Sequence, residues 1–451
     1  MANVSTIGNA TLIAYEGSKP ILATDPWIGD EDEAYFGSWT LSHKIPSRYK
    51  QDILDAKFIW FSHGHPDHLN PSSINRFLGK KILLPDHVGS RIAKWLSAKQ
   101  FDIEILPDRE WVQISAEIKV MCITTHIQDS MLLVAVNDKL FVNLNDAGTR
   151  NATGFIRGIC NTFDQSYLLC LSGYGDADMI NCYDAEGKFV VPPAKNNIYV
   201  GEHLSWVAKS INVNTVIPFS SHHQYQRTDS VWAQEYVTPL HAYSHGLYSD
   251  IELIPPFVDI DCNSGAYQQI NPDAIEVEPI EPEKFGDNWS DQLEADDQKA
   301  LVEYFMEKEV IRKRMGFIKF VVGGQESTVN LNKNSNKGIT FTVPRHSLMT
   351  AVKYEIFDDL LIGNFMKTTL HNMESLYDCD FNFHLTKYAD NGGAKTEEEV
   401  RQYLKEYKRR CGRQFIYDSF LDSSANILQR LLFKRNSKIK RSLKSLYYRL
   451  K

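Results

Sequence analysis

The sequence is short of three things, and each shortage excludes a class of protein. Its seven cysteines, at 122, 160, 170, 182, 262, 379 and 411, are scattered and odd in number, with no C-x-x-C. That pattern excludes a Cys-rich zinc module or an iron–sulfur cluster of the usual spacing. It fits reduced thiols, and a cytoplasmic protein is expected. No stretch approaches the roughly 20 apolar residues of a membrane span. The start, Met1-Ala2-Asn3-Val4-Ser5, has neither a basic beginning nor a long apolar core, so no secretory leader is expected. There is also no basic excess. A net charge of -8 gives no global case for a nucleic-acid partner. What remains is an ordinary globular composition, 43% apolar and 24% charged, over 451 residues. That length exceeds the size at which one core keeps growing, so two domains are expected.

One stretch stands out, Phe61-Ser62-His63-Gly64-His65-Pro66-Asp67-His68. Three imidazoles and a carboxylate fall within six residues, directly after the apolar run Ala56 to Phe61. A buried strand that ends in His and Asp delivers metal ligands to one rim of a sheet. Neutral imidazole nitrogen and carboxylate oxygen suit zinc and iron.

The same arrangement recurs along the chain. The strand predicted over 20–24 ends in Asp25, and Pro26 biases that residue to an extended conformation. The strand over 118–125 runs into His126, and the strand over 140–144 into Asn145-Asp146. The strand over 213–219 ends in Ser220-Ser221-His222-His223. Four apolar strands thus each end in a potential ligand, and Asp25 ends a fifth. Short strands and helices alternate from 81 to 106, and successive strands follow from 111 to 145, an α/β pattern.

Residues 250–297 change character, with fourteen acids, one base and several prolines. They read as an extended connector. Beyond them, predicted helices over 299–313, within 347–369 and over 397–410 surround strands over 317–322, 327–331 and 338–343, an α+β unit. The apolar run 356–365 reads as core. The last stretch, 430–451, carries nine Lys or Arg and no acid, with Leu443, Leu446, Tyr447 and Leu450 at helical spacing. A basic amphipathic helix of this kind suits an anionic membrane surface, against the alternative of a helix docked on its own protein.

Strand-ending H-x-H-x-D-H followed by a later His, an Asp and a His resembles the metallo-β-lactamase superfamily. Asp25-Pro26-Trp27, Gly37-Ser38-Trp39 and Ile45-Pro46 narrow the resemblance. They are similar to the branch of N-acyl phosphatidylethanolamine phospholipase D, the ascorbate-phosphate lactonases and the metallo-β-lactamase-like part of CMP-N-acetylneuraminate hydroxylase. The Rieske pattern of that hydroxylase is absent here. The resemblance implies an αββα sandwich over 1–245; composition and pattern place a connector over 246–298, an α+β domain over 299–425 and the basic helix over 426–451. The resemblance also implies two divalent ions, zinc ahead of iron. His63, His65 and His126 would hold the first, and Asp67, His68 and either His222 or His223 the second. Asp146 would bridge them. His222 is preferred, because neighbours at a strand end point in opposite directions.

Two ions about 3.5–4 Å apart can share a carboxylate and a water, which then loses a proton near neutral pH. Asp67 and Asp146 are thereby the expected catalytic carboxylates, and Asp25 an acceptor for a ligating imidazole N–H. Tyr174, Asp176, Arg227 and His245 follow strand ends or the last ligand and are weaker candidates for contact with substrate. The expected activity is hydrolysis of an ester, phosphoester, lactone or amide bond. The alternative is O2-dependent diiron hydroxylation of a nucleotide sugar or carrier-bound substrate, since ligand type alone does not separate zinc from iron. The expected partner is a small-molecule or carrier-linked substrate, with 430–451 touching the inner membrane face.

Overall fold

The computed structural model describes residues 2–29, 32–171, 179–190, 199–412 and 418. The basic stretch 430–451 lies outside the described residues, as do Tyr174 and Asp176. Among the described residues, two large mixed sheets stack face to face. The eight-stranded sheet runs in the order Tyr267–Gln269, Val258–Asp261, Asn3–Ile7, Thr11–Glu16, Lys19–Thr24, Phe58–Trp60, Lys81–Pro85, Asp102–Leu106. The seven-stranded sheet runs Glu252–Leu253, Thr215–Phe219, Gln165–Leu171, Lys139–Asn145, Ser130–Val136, Ile118–Thr124, Trp111–Gln113.

The strand Ser130–Val136 shows why the layers form. All seven of its residues are buried, so it reads as a continuous apolar run covered on both faces. Leu132, Val134 and Val136 point into the core between the sheets, with Leu12, Leu22, Trp60 and Leu83 from the facing sheet. Met131, Leu133 and Ala135 point the other way, under Ile156 of the helix Thr153–Cys160 and Leu204 of the helix Val200–Ser210. The period of two sends alternate side chains to separate cores. On the outer face of the first sheet lie Ile53 of the helix Ser47–Asp55 and Leu96 of the helix Arg91–Ala98. The layers are therefore αββα, the sandwich of the metallo-β-lactamase fold.

The stretch expected as a connector departs from that expectation. Val258–Asp261 pairs antiparallel with Asn3–Ile7, and Glu252–Leu253 pairs parallel with Thr215–Phe219. Residues 252–269 thus extend both sheets of the sandwich. Pattern reading missed this because charged side chains on an edge strand resemble a loop.

A five-stranded sheet builds the second unit, in the order Cys182–Tyr183, Lys367–His371, Gly338–Thr342, Phe317–Val322, Gln325–Asn330. Its core joins Ile318, Phe320 and Phe341 to Phe305, Leu348, Phe357 and Leu360 of the helices. The run 347–369, expected to contain one or two helices, holds most of Arg345–Tyr354 and all of Phe357–Ile362, and a strand begins at Lys367. Thr368 and Leu370 of that strand are buried, while Lys367 is exposed.

Candidate metal centre

Three strand ends turn at the same edge of the sandwich. Asp25, Asn145 and Ser220 all adopt left-handed backbone, with φ of 39°, 46° and 62°, so Asp25 is not extended as the following proline suggested. Non-glycine residues seldom sit there, and such conformations gather where a site imposes them. The sharp turns aim the next residues across the edge instead of along the strands.

The side chains of His63, His68 and Asp146 converge there, with their ligand atoms all within 4.8 Å of one another. Asp146 presents one oxygen, Oδ2, to two imidazoles, at 3.8 Å from His63 Nε2 and 3.4 Å from His68 Nε2. Asp67 Oδ2 lies 3.5 Å from His68 Nε2. The Nδ1 of His65 lies 2.9 Å from His63 Nε2.

Each of these groups is held from behind. Asp25 is fully buried; its Oδ1 accepts from the Ser62 N–H at 2.7 Å and its Oδ2 lies 3.1 Å from His68 Nδ1. Ser62 Oγ lies 2.8 Å from His63 Nδ1. Asp67 accepts from the Tyr35 hydroxyl at 2.5 Å and from the Asn9 amide at 2.9 Å. His65 Nε2 lies 2.9 Å from Asp358 Oδ2, and Lys387 Nζ donates to the same oxygen at 2.8 Å.

Asp358 belongs to the helix Phe357–Ile362 and Lys387 to the π-helix Phe383–Asn391, both in the second unit. Sequence reading missed both, since the run 356–365 carries the signature of plain core. The one available signal was Asp358-Asp359, two acids inside an apolar run.

The two candidates at the last strand end behave differently. His222 turns its ring toward Phe257, with centroids 5.0 Å apart, and its Nε2 lies 3.3 Å from the Pro218 carbonyl. His223 opens a new short strand, His223–Tyr225, paired with Trp39–Leu41. Its ring stacks on Trp39 at 3.4 Å, and both of its buried nitrogens lack a hydrogen-bond partner. The geometry therefore favours His223, against the preference drawn from strand alternation. Strand alternation does not order these two rings, because the strand stops at Phe219 and the chain turns at Ser220 before them.

Other expected residues lie elsewhere. His126 follows the strand Ile118–Thr124 as predicted, but its ring faces Tyr388 at 6.5 Å and is not among the converging atoms. Arg227 is fully buried and is not available to a substrate. It is paired with Asp229 and Asp287 at 2.8 Å each, and its guanidinium stacks over Phe365. His245 is exposed, with its ring edge-on to Tyr199. Neither joins the cluster.

The electrostatics fit a bound cation. Burial pushes the His63 pKa well below its usual value, helped by His68 and His65, and burial brings His223 to about 3. Burial, with Arg150, brings His126 to about 4. These imidazoles are neutral at pH 7, the form a metal needs. His65 and His68 differ: burial and Lys387 oppose the charged form of His65, but Asp358 raises its pKa above the usual value, and His68 is raised further. Burial opposes the charged form of His68, but Asp67, Asp146 and Asp25 together hold its pKa well above the usual value. Burial also raises Asp146, against the opposing pull of His68. Without an ion, a proton on His68 offsets the clustered carboxylates, and an ion would displace it. His68 Nε2, Asp146 Oδ1 and both nitrogens of His223 are buried without a hydrogen-bond partner. Such stranded groups call for a water or an ion, and this donor set of imidazoles and carboxylates suits divalent zinc or iron.

Comparison with known proteins was made at three levels. No family model matches the chain. The inactive cytidine monophosphate-N-acetylneuraminic acid hydroxylase of Homo sapiens is 24% identical over 136 residues, 28% of this chain and 27% of that protein. The cytidine monophosphate-N-acetylneuraminic acid hydroxylase of Pongo pygmaeus is 26% identical over 113 residues, 24% of this chain and 19% of that protein. The aligned part therefore spans less than a third of the length of these relatives. Among solved structures, an isothiocyanate hydrolase from Delia radicum gut bacteria matches with a TM-score of 0.38 and 13% identity, covering 57% of this chain and 98% of that one. The metallo-β-lactamase fold protein YhfI from Bacillus subtilis matches with a TM-score of 0.35 and 10% identity, covering 60% of this chain and all of that one.

Proposed function

We propose that this metallo-β-lactamase-fold chain is a metal-dependent hydrolase working on an ester, phosphoester, lactone or amide bond. The observation that carries the reading is the shared oxygen of Asp146, set between His63 and His68 with partner atoms left unsatisfied around it. His63 and His65 would hold one divalent ion, Asp67, His68 and His223 a second, and Asp146 both. His126 joins the first ion only if its ring turns in from Tyr388. Bound there, such ions lower the pKa of a shared water to near 7 and supply a hydroxide nucleophile.

The chain's own part is to hold the ligands in one protonation state and one orientation. Asp25 fixes a proton on His68 Nδ1 and leaves Nε2 for an ion. Tyr35 and Asn9 fix the carboxylate plane of Asp67. Trp39 holds the His223 ring flat. All seven cysteines are unpaired, which supports a reducing, cytoplasmic setting. Among the described residues no helix is long and apolar enough to cross a membrane.

The second reading is an O2-dependent diiron hydroxylase of a nucleotide-sugar or carrier-bound substrate. The sequence matches to hydroxylases favour it, and the same donors serve iron. Metal analysis of the chain purified without added metal separates the two. Two zinc ions and no O2 uptake on reduction would sink the hydroxylase; two iron ions with O2 uptake would sink the hydrolase. Replacing Asp146 by Ala is expected to cost at least one ion, and a count that stays at two would refute the bridging role.

A further inference from the structure

We propose that the second unit completes the metal centre, through Asp358 acting as the positioning residue of His65. The inference rests on the reading of the cluster as a metal site.

His65 has two ring nitrogens with opposite tasks. Nδ1 faces His63 Nε2 at 2.9 Å, where a lone pair is needed. Nε2 faces Asp358 Oδ2 at 2.9 Å, where an N–H donor is needed. A carboxylate at Nε2 fixes the tautomer that leaves Nδ1 free, and it holds the ring against rotation. Asp358 suits this task because it is itself immobilised. It is 3% exposed, and Lys387 Nζ donates to the same Oδ2 at 2.8 Å. A carboxylate held in place by Lys387 accepts the imidazole proton at Nε2 more firmly than a neutral group would.

The unit grips the same edge at a second place, independently of Asp358. The helix Glu397–Cys411 sends the Tyr403 hydroxyl to the His126 carbonyl at 2.7 Å. Gln128, two residues beyond His126, donates to Tyr403 Oη at 2.9 Å and to the Val88 carbonyl at 3.0 Å. Gly89 sits so near this unit that a Cβ there would meet the Gly392 carbonyl oxygen at 2.7 Å. The unit is thus wedged against both loops that flank the first ion's ligands. No residue of the sandwich is seen to take the place of Asp358 at His65 Nε2 among the described contacts.

The test uses the full chain, stripped of metal and titrated with Co(II), whose visible spectrum reports ligand identity. Wild type and the variants Asp358→Asn and Asp358→Glu are compared, with Asp287→Asn as the control. That control weakens another tie between the units, the Arg227–Asp287 pair, without touching His65. Asp358→Asn is expected to weaken Co(II) binding by about 10–100-fold and to shift its spectrum. Asp358→Glu is expected to recover part of the loss, and Asp287→Asn to lower the thermal midpoint with the spectrum unchanged. A wild-type chain that binds Co(II) and an Asp358→Asn chain that binds it equally, with the same spectrum, would overturn the inference alone. A wild-type chain that takes up no Co(II) would overturn the metal centre as well. Should Asp358→Asn fail to fold, an Asp358→Ser titration decides, since it removes the carboxylate from His65 Nε2: binding and spectrum identical to wild type would overturn the positioning role.

Discussion

Replacing Asp25 by Asn tests how a single proton governs the centre. The carboxylate is fully buried and serves two donors, Ser62 N–H at 2.7 Å and His68 Nδ1–H at 3.1 Å. Asn has the same shape and tolerates the left-handed backbone found here at φ 39°. Its oxygen must face the Ser62 N–H, because an amide NH2 there would set donor against donor. The NH2 group must then face His68 Nδ1, which can only accept from it. The imidazole then keeps a single proton, on Nε2, aimed at Asp146 Oδ2 and Asp67 Oδ2, 3.4 and 3.5 Å away. That hydrogen bond is good for folding and ruinous for metal binding, since no lone pair is left. The fold is expected to lose about 1–2 kcal/mol, the difference between charge-assisted and neutral hydrogen bonds. Metal affinity at the ion held by His68 is expected to fall by about 10–100-fold. Thermal melts of stripped protein and titration with zinc or Co(II) measure the two effects separately. Asp25→Ala should reverse the balance by stranding two buried donors at about 1–3 kcal/mol each. Asp25→Asn protein that binds two ions with wild-type affinity would refute the tautomer argument.

His223→Phe is expected to lose one ion, whereas His222→Phe should keep both and cost about 1–3 kcal/mol, because phenyl is larger than imidazole and overpacks the buried site beside Phe257; metal counts on the two variants check this, and the opposite result would return the ligand role to His222. Arg227→Leu leaves Asp287 buried without its cation and is expected to cost about 3–5 kcal/mol in denaturant melts, with metal content unchanged. Lost metal without lost stability would refute that structural role. For pH dependence, burial, with Arg410 adding to it, brings His87 to about 3. Above pH 6.5 both folded and unfolded chains hold it neutral. As pH falls below 6.5 only the unfolded chain takes up the proton, so stability drops toward pH 3, by about 1.4 kcal/mol per pH unit at most. In metal-free protein His87→Gln should flatten the fall in thermal midpoint between pH 7 and 4.5 by one proton's share, and an unchanged slope would count against it.

The sandwich and its site were legible to different depths. The ligand-bearing strand ends could be read because each combines a local apolar run with the polar residue that follows it, and both signals lie within ten residues. Asp25 was legible for the same reason. Asp358 and Lys387 were not, because nothing near them in sequence refers to His65, almost three hundred residues away. Tyr35 and Asn9 were hidden in another way. A phenol in an irregular aromatic segment and an amide at the head of a strand are ordinary there, and only the folded chain brings them to Asp67. Arg227 was misread because a cation after a ligand suggests substrate, whereas Asp229, Asp287 and Phe365 enclose it completely. The strands over 252–269 were missed because they are short and rich in polar and charged side chains, Glu252, Asp259, Asp261, Gln268 and Gln269 among them.

The two-residue strand Cys182–Tyr183 has a consequence for the order in which the molecule can mature. It leaves the middle of the sandwich and pairs in parallel with Thr368 and Thr369. During synthesis, every described strand of the sandwich has emerged once residue 269 is made, yet the partner of Cys182 does not exist until residue 368 follows. Closing so long a loop comes late and costs chain entropy that only the finished second sheet can offset. A ribosome-bound chain would therefore hold a nearly complete sandwich whose His65 still lacks its carboxylate partner, Asp358.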